Sequence, residues 1–169
     1  MVRRVALLAG LALAAAAPPR ACDYSIVYAD GVPTRDERVE IALQALPAVF
    51  VGHVNRVEAV APDAPLRDGL LTDLGFRYRA TFAVAHAWVG PVDSVSVEWE
   101  SNCEVAFEVG RRYVVFAERL EWPTGGSALV APVWWDTAPL EDGYRLIDAL
   151  NAAATRLRGR GGAARPWQR

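Results

Sequence analysis

The sequence predicts a mainly β domain with two helices. Five strands close into a small barrel, with one helix before the first strand and one after the last. Three observations predict it. Residues 76–89 alternate bulky and small or polar side chains over a length that suits a strand. Four further segments, 49–60, 94–100, 113–118 and 128–135, are Val-rich or alternating and are bounded by Gly and Pro turns. Two other segments, 34–46 and 140–157, repeat apolar residues at spacings of three and four.

The first helix begins at Thr34. Glu37 follows three residues later, the capping-box spacing, so each side chain can satisfy an orphan amide of the first turn. Val39, Ala42, Leu43 and Leu46 form one apolar stripe, and Pro47 stops the helix. In the first strand, Gly52 marks a bulge or bend. Residues 62–75 carry Pro, Gly and Asp and read as a loop. On the second strand Phe76, Tyr78, Ala80, Phe82, Val84, His86 and Trp88 form the expected core face. Gly90-Pro91 turns the chain into the third strand, where Val95, Val97 and Trp99 alternate with Ser94, Ser96, Glu98 and Glu100. Residues 101–110 connect to a fourth strand opening at Tyr113. A turn at 123–126 leads to the fifth, which Pro132 places at an edge or bulge. The second helix spans 140–157, with Tyr144, Ile147, Leu150, Ala154 and Leu157 on one side and Gly159 at its end. Five strands, with so long a second one, favour an OB-type barrel.

Charge narrows the function classes. All 18 basic residues are Arg, set against 20 acids. From Cys22 to Ala154 there are 10 Arg and 20 acids, whereas residues 155–169 hold 5 Arg and no acid. An acidic body repels a phosphate backbone, so nucleic acid is not the expected partner.

Residues 1–21 read as a signal peptide. Arg3 and Arg4 precede an apolar run of 13 residues, Val5 to Ala17, too short to span a bilayer but right for a signal core. Cleavage is expected after Ala21, in preference to Ala17, which would leave Pro18 first. The expected location is therefore the periplasm or the extracellular medium, with no transmembrane segment once the signal is removed. The folded domain then covers 22–157, and 158–169 is an Arg- and Gly-rich tail expected to be disordered. Export places Cys22 and Cys103 in an oxidising compartment, where they are expected to pair. A loop of that length gains roughly 4 to 5 kcal/mol in the chain-entropy view.

Other constellations read as structural. Cys22, His53, His86 and Cys103 lack the short ligand pairs of a zinc site, so no intrinsic metal or other cofactor is expected. His53 and His86 fall on neighbouring strands, where packed histidines are the expected reading. Glu98 and Glu100 share a strand face, which reads as solvated, although paired carboxylates on one face are also what a small hydrolase would use. Trp134 and Trp135 are adjacent on a strand and point to opposite faces, one into the core and one under the last helix. No nucleophile elbow, zinc-protease motif or P-loop occurs, so the protein is expected not to be an enzyme.

From Cys22 to about Leu150, the ordered features resemble the tissue inhibitors of metalloproteinases and their bacterial netrin-like relatives. A mature N-terminal cysteine precedes a helix that leads into Ala48-Val49-Phe50-Val51-Gly52-His53-Val54. The long strand Phe82 to Trp88 is followed by Gly90-Pro91. Then come Cys103, Phe107, Val109-Gly110 and Tyr113-Val114-Val115-Phe116. The resemblance implies an OB-type barrel and a protein partner, a secreted metalloprotease. It also implies an inhibitory ridge at Cys22, Asp23, Tyr24 and Ser25. In that scheme the α-amine and carbonyl of Cys22 chelate the protease's zinc and Asp23 enters the specificity pocket. The Cys22–Cys103 disulfide holds the ridge rigid, which lowers the ordering cost of binding. Two departures separate this chain from the family pattern. Cys22-Asp23-Tyr24 replaces Cys-x-Cys, and Val133-Trp134-Trp135 stands where a partner cysteine is expected. A carboxylate in an apolar pocket is also costly. The alternative is a netrin-like binding or envelope-associated scaffold that has lost zinc chelation.

Overall fold

Thr34 caps helix α1 (Arg35–Ala45) as the spacing predicts. Its hydroxyl accepts from the Glu37 amide at 3.3 Å, and the Glu37 carboxylate accepts from the Thr34 amide at 2.7 Å. The helix stops where Leu46, ahead of Pro47, turns extended. This computed structural model describes residues 33–60, 77–100, 106–121, 126–132 and 135–161. The expected signal peptide, the ridge at 22–25, both cysteines, the loop at 62–75 and Trp134 lie outside the described residues.

Five strands form a ring. Strand β1 (Ala48–Val60) pairs antiparallel with β2 (Arg77–Val89), which pairs antiparallel with β3 (Ser94–Glu100). Strand β4 (Arg112–Glu121) pairs antiparallel with β1 and with β5 (Ser127–Val130). One parallel bridge, Glu98 to Val130, joins β5 to β3 and closes the order β1-β2-β3-β5-β4. A short β6 (Ala138–Pro139) lies along the start of β4 and was not anticipated. Gly90 makes the β2–β3 turn with φ +96°, where a Cβ would sit 2.7 Å from the Pro47 carbonyl oxygen. Only glycine fits there.

Two hydrophobic layers share β1 and β4. Inside the ring lie Phe50, Val54, Ala80, Phe82, Val97, Trp99, Phe107, Tyr113 and Val115. On the other side Val49, Val51, Val114 and Phe116 meet α1 and helix α2 (Tyr144–Gly159) through Val39, Ala42, Leu46, Leu146 and Leu150. Alternation along β4 makes the split: Tyr113, Val115 and Ala117 face in, Val114 and Phe116 face the helices.

The core face expected for β2 holds only part of the way. Val51 and Gly52 oppose His86 and Val84, which leaves Ala85 as an extra residue, and Trp88 is extra in the same way. Each bulge reverses the alternation. Trp88 therefore belongs to the helix-facing layer, and Ala87, not Trp88, packs on the ring interior. The Trp88 indole N–H donates to Asn151 Oδ1 of α2 at 2.9 Å. The irregularity expected at Gly52 appears as this register change, with the extra residue, Ala85, on β2 and not at Gly52.

Further differences follow from local geometry. The fifth strand ends at Val130, and Pro132 follows, so Trp135 lies beyond any strand. The second helix starts at Tyr144 because Leu140 to Gly143 are taken up by turns after β6. Its buried side adds Leu146 and Ala153, while Tyr144 stands exposed. Arg158 and Gly159, assigned from sequence to a disordered tail, are the last residues of this helix. Among the described residues no helix is long and apolar enough to cross a membrane.

Candidate binding surface

One end of the ring is stoppered by the chain that follows Cys103. Phe107 enters the interior edge-on to Phe82, Trp99 and Tyr113, each with ring centroids 5.0 Å away. Edge-to-face aromatic pairs of this kind are favourable beyond their buried area. The Tyr113 hydroxyl holds the backbone on both sides of this plug. It donates to the Ala106 carbonyl at 3.1 Å and accepts from the Glu108 amide at 3.1 Å. Burial raises the Tyr113 phenol above its ordinary value, which keeps the donor proton in place.

The next turn is tied down by charge and backbone. Gly110 donates its amide to the Val54 carbonyl at 2.9 Å, and Val54 donates to the Arg111 carbonyl at 2.9 Å. Arg111 donates to Glu108 Oε1 at 3.0 Å and to Glu141, and its guanidinium lies 5.9 Å from the Tyr113 ring centroid. The connection is thus held at Phe107, four residues after Cys103 in the sequence.

A second cluster occupies the outer face of β1, β2 and β3. Arg79 donates through Nε and Nη2 to Glu98 Oε1 at 3.1 and 2.6 Å, and its Nη1 lies 3.7 Å from Glu58. Arg56 pairs with Glu58 at 2.6 Å. Glu98 is only 5% exposed, so the expected solvated face is corrected here: Arg79, its cross-strand partner, covers the carboxylate. The pairing compensates burial of the charge. Sequence reasoning missed it because the signal is a register, Arg79 opposite Glu98, and not a motif.

The two histidines are on adjacent strands but do not oppose each other. His53 faces Ala83, and its Nδ1 lies 3.0 Å from Asn55 Oδ1. His86 faces Val51 and packs edge-on against Trp88, where burial lowers its pKa below the ordinary 6.5. Among the described residues no group of three potential metal ligands occurs. Trp135 is partly buried and stacks on Phe116 with centroids 6.1 Å apart and planes at 8°. Its indole N–H is buried with no hydrogen-bond partner among the described residues.

Compared with known proteins, the chain matches no family model and no curated relative. What this arrangement offers chemically is rigidity. The ring is plugged, and the strand connection is gripped at Phe107.

Proposed function

We propose that this chain is an exported, non-catalytic protein-binding domain on an OB-type barrel of netrin-like kind. In its sharpest form it inhibits a secreted metalloendopeptidase through the ridge Cys22 to Ser25. One observation carries the reading. The ring β1-β2-β3-β5-β4 has the single crossed connection of a five-stranded Greek-key barrel, and that connection holds Cys103. Phe107 and Tyr113 anchor the connection beside it. A Cys22–Cys103 bridge would attach the ridge four residues before the anchored Phe107 and so reduce the entropy lost on binding. The α-amine and carbonyl of Cys22 would take the protease's zinc, and Asp23 would point into its pocket.

The test is titration of the mature protein, starting at Cys22, against a panel of secreted metalloproteases. Inhibition is expected, and it should vanish when one Ala is added before Cys22, because the extension removes the free α-amine from the chelating position. Full protease activity at micromolar excess overturns the inhibitory reading. The second reading, a binding scaffold without the zinc wedge, draws on Asp23-Tyr24 in place of a second ridge cysteine.

A further inference from the structure

Strand β1 outruns its neighbour on one side. Strand β4 pairs with it only from Ala48 to His53, and the turn at 108–111 bonds to Val54. On the other side β2 follows β1 as far as Val60. From Asn55 to Val60, one edge of β1 carries no strand among the described residues. Asn55 is an extra residue at a bulge, since Val54 and Arg56 oppose the consecutive residues Phe82 and Thr81. Beyond the bulge, the half-buried Val57 packs on the ring interior, while Arg56 and Glu58 share the outer face. An open strand edge presents backbone donors and acceptors to any strand that can lie along it.

The charges select the strand. We infer that β1 of a second copy of this chain lies antiparallel along this edge, about a two-fold axis at Val57. That register sets Val57 opposite Val57 and Asn55 opposite Ala59. It sets Arg56 opposite Glu58 of the second copy, twice, by symmetry. Directly opposed side chains on one face of an antiparallel pair lie within about 5 Å at Cβ, and opposite charges there attract. The Arg56–Glu58 contact within one chain already places both charged ends on that face, with Arg56 71% exposed. Edges protected by charge repel their own copies. This edge is self-complementary, because its two charges have opposite signs and are equidistant from Val57. The inference rests on the β1 edge alone and does not draw on the proposed ridge at Cys22.

The experiment is sedimentation of the mature protein across a concentration series at low salt, with Arg56→Glu and Glu58→Arg. The unaltered protein dimerises. Each variant alone opposes like charges at both symmetric sites and weakens the dimer at least about tenfold. Mixing the two variants restores it, since every opposed pair is then of opposite sign. Amide exchange in the unaltered protein supplies a check that needs no variant: residues 57–59 become slower as concentration rises. A monomer at all concentrations overturns the inference and leaves the edge to a strand of another protein. A dimer indifferent to both variants overturns it too, by placing the contact elsewhere.

Discussion

The ring interior and the helix-covered layer share two strands, β1 and β4, yet they are filled in different ways. The interior is aromatic: Phe50, Phe82, Trp99, Phe107 and Tyr113 meet mostly edge to face. The outer layer is largely aliphatic, with Val39, Ala42, Leu46, Leu146, Leu150 and Ala153 between helices and sheet. Geometry accounts for the difference. A ring of strands leaves a rounded space that a few large rings fill from several directions. Two helices lying on a sheet approach closely only when the facing side chains are short and interlock. The interior therefore concentrates its contacts in a few large rings, and the outer layer spreads them over smaller side chains.

The largest test of that contrast is Phe107→Ala. Removing a buried Phe costs about 3–5 kcal/mol, and here the loss is concentrated at three aromatic contacts. Leu150→Ala, a buried truncation in the helix layer, falls within about 2–5 kcal/mol and is the matched control. Denaturant unfolding measures both. Only the Phe107 variant should also loosen the segment at 106–111, seen as faster amide exchange at Glu108 below the global unfolding midpoint. Equal local protection in the two variants would break the comparison.

Gly52→Ala probes the seam between the layers. A Cβ at this position would lie 2.9 Å from Phe50 Cε2 and 3.1 Å from Phe82 Cβ and Cδ1. The interior has no slack there, because both rings already pack edge to face at 5.4 Å. Overpacking of this kind costs about 1–3 kcal/mol. A neutral thermal shift would mean that the aromatic interior yields as easily as an aliphatic one.

The sequence disclosed the elements better than their faces. The capping box at Thr34 and Glu37 is a local signal, and it appears as read. The Val-rich segments at 49–60 and 113–118 read as strands, and the structure buries their apolar stretches on both sides. Trp88 was assigned to the wrong layer because bulges at Ala85 and Trp88 reverse a period-two pattern without leaving a Gly or Pro behind. The buried Glu98 was missed because only the β2–β3 register brings Arg79 to it. The Tyr113 hydroxyl clip depends on a loop returning past the ring end, which no residue spacing encodes. Of the candidate site, the anchoring residue Phe107 was named from sequence, while its grip was not.

The smallest effect lies at the start of the helix layer. Thr34→Ala removes the hydroxyl that accepts from the Glu37 amide, and N-cap losses of this kind cost about 1 kcal/mol. The Glu37 carboxylate is held below its ordinary value of 4.5, first by the Thr34 backbone amide and then by the Thr34 hydroxyl. Its folded value is lower than its unfolded one, so its contribution is complete above about 4.5 and is lost as pH falls through the folded value. In the variant the backbone amide still donates to the carboxylate, but the hydroxyl that donates to it at 2.8 Å in the unaltered protein is gone. The stability gap between the two proteins should therefore narrow as pH drops below about 4.5, measured as thermal midpoints across a pH series. A gap constant with pH would assign the whole cap to the Thr34 oxygen as acceptor. Because α1 is one contributor among many to a distributed layer, neither protein should lose the ring at any pH where the Phe107 plug remains seated.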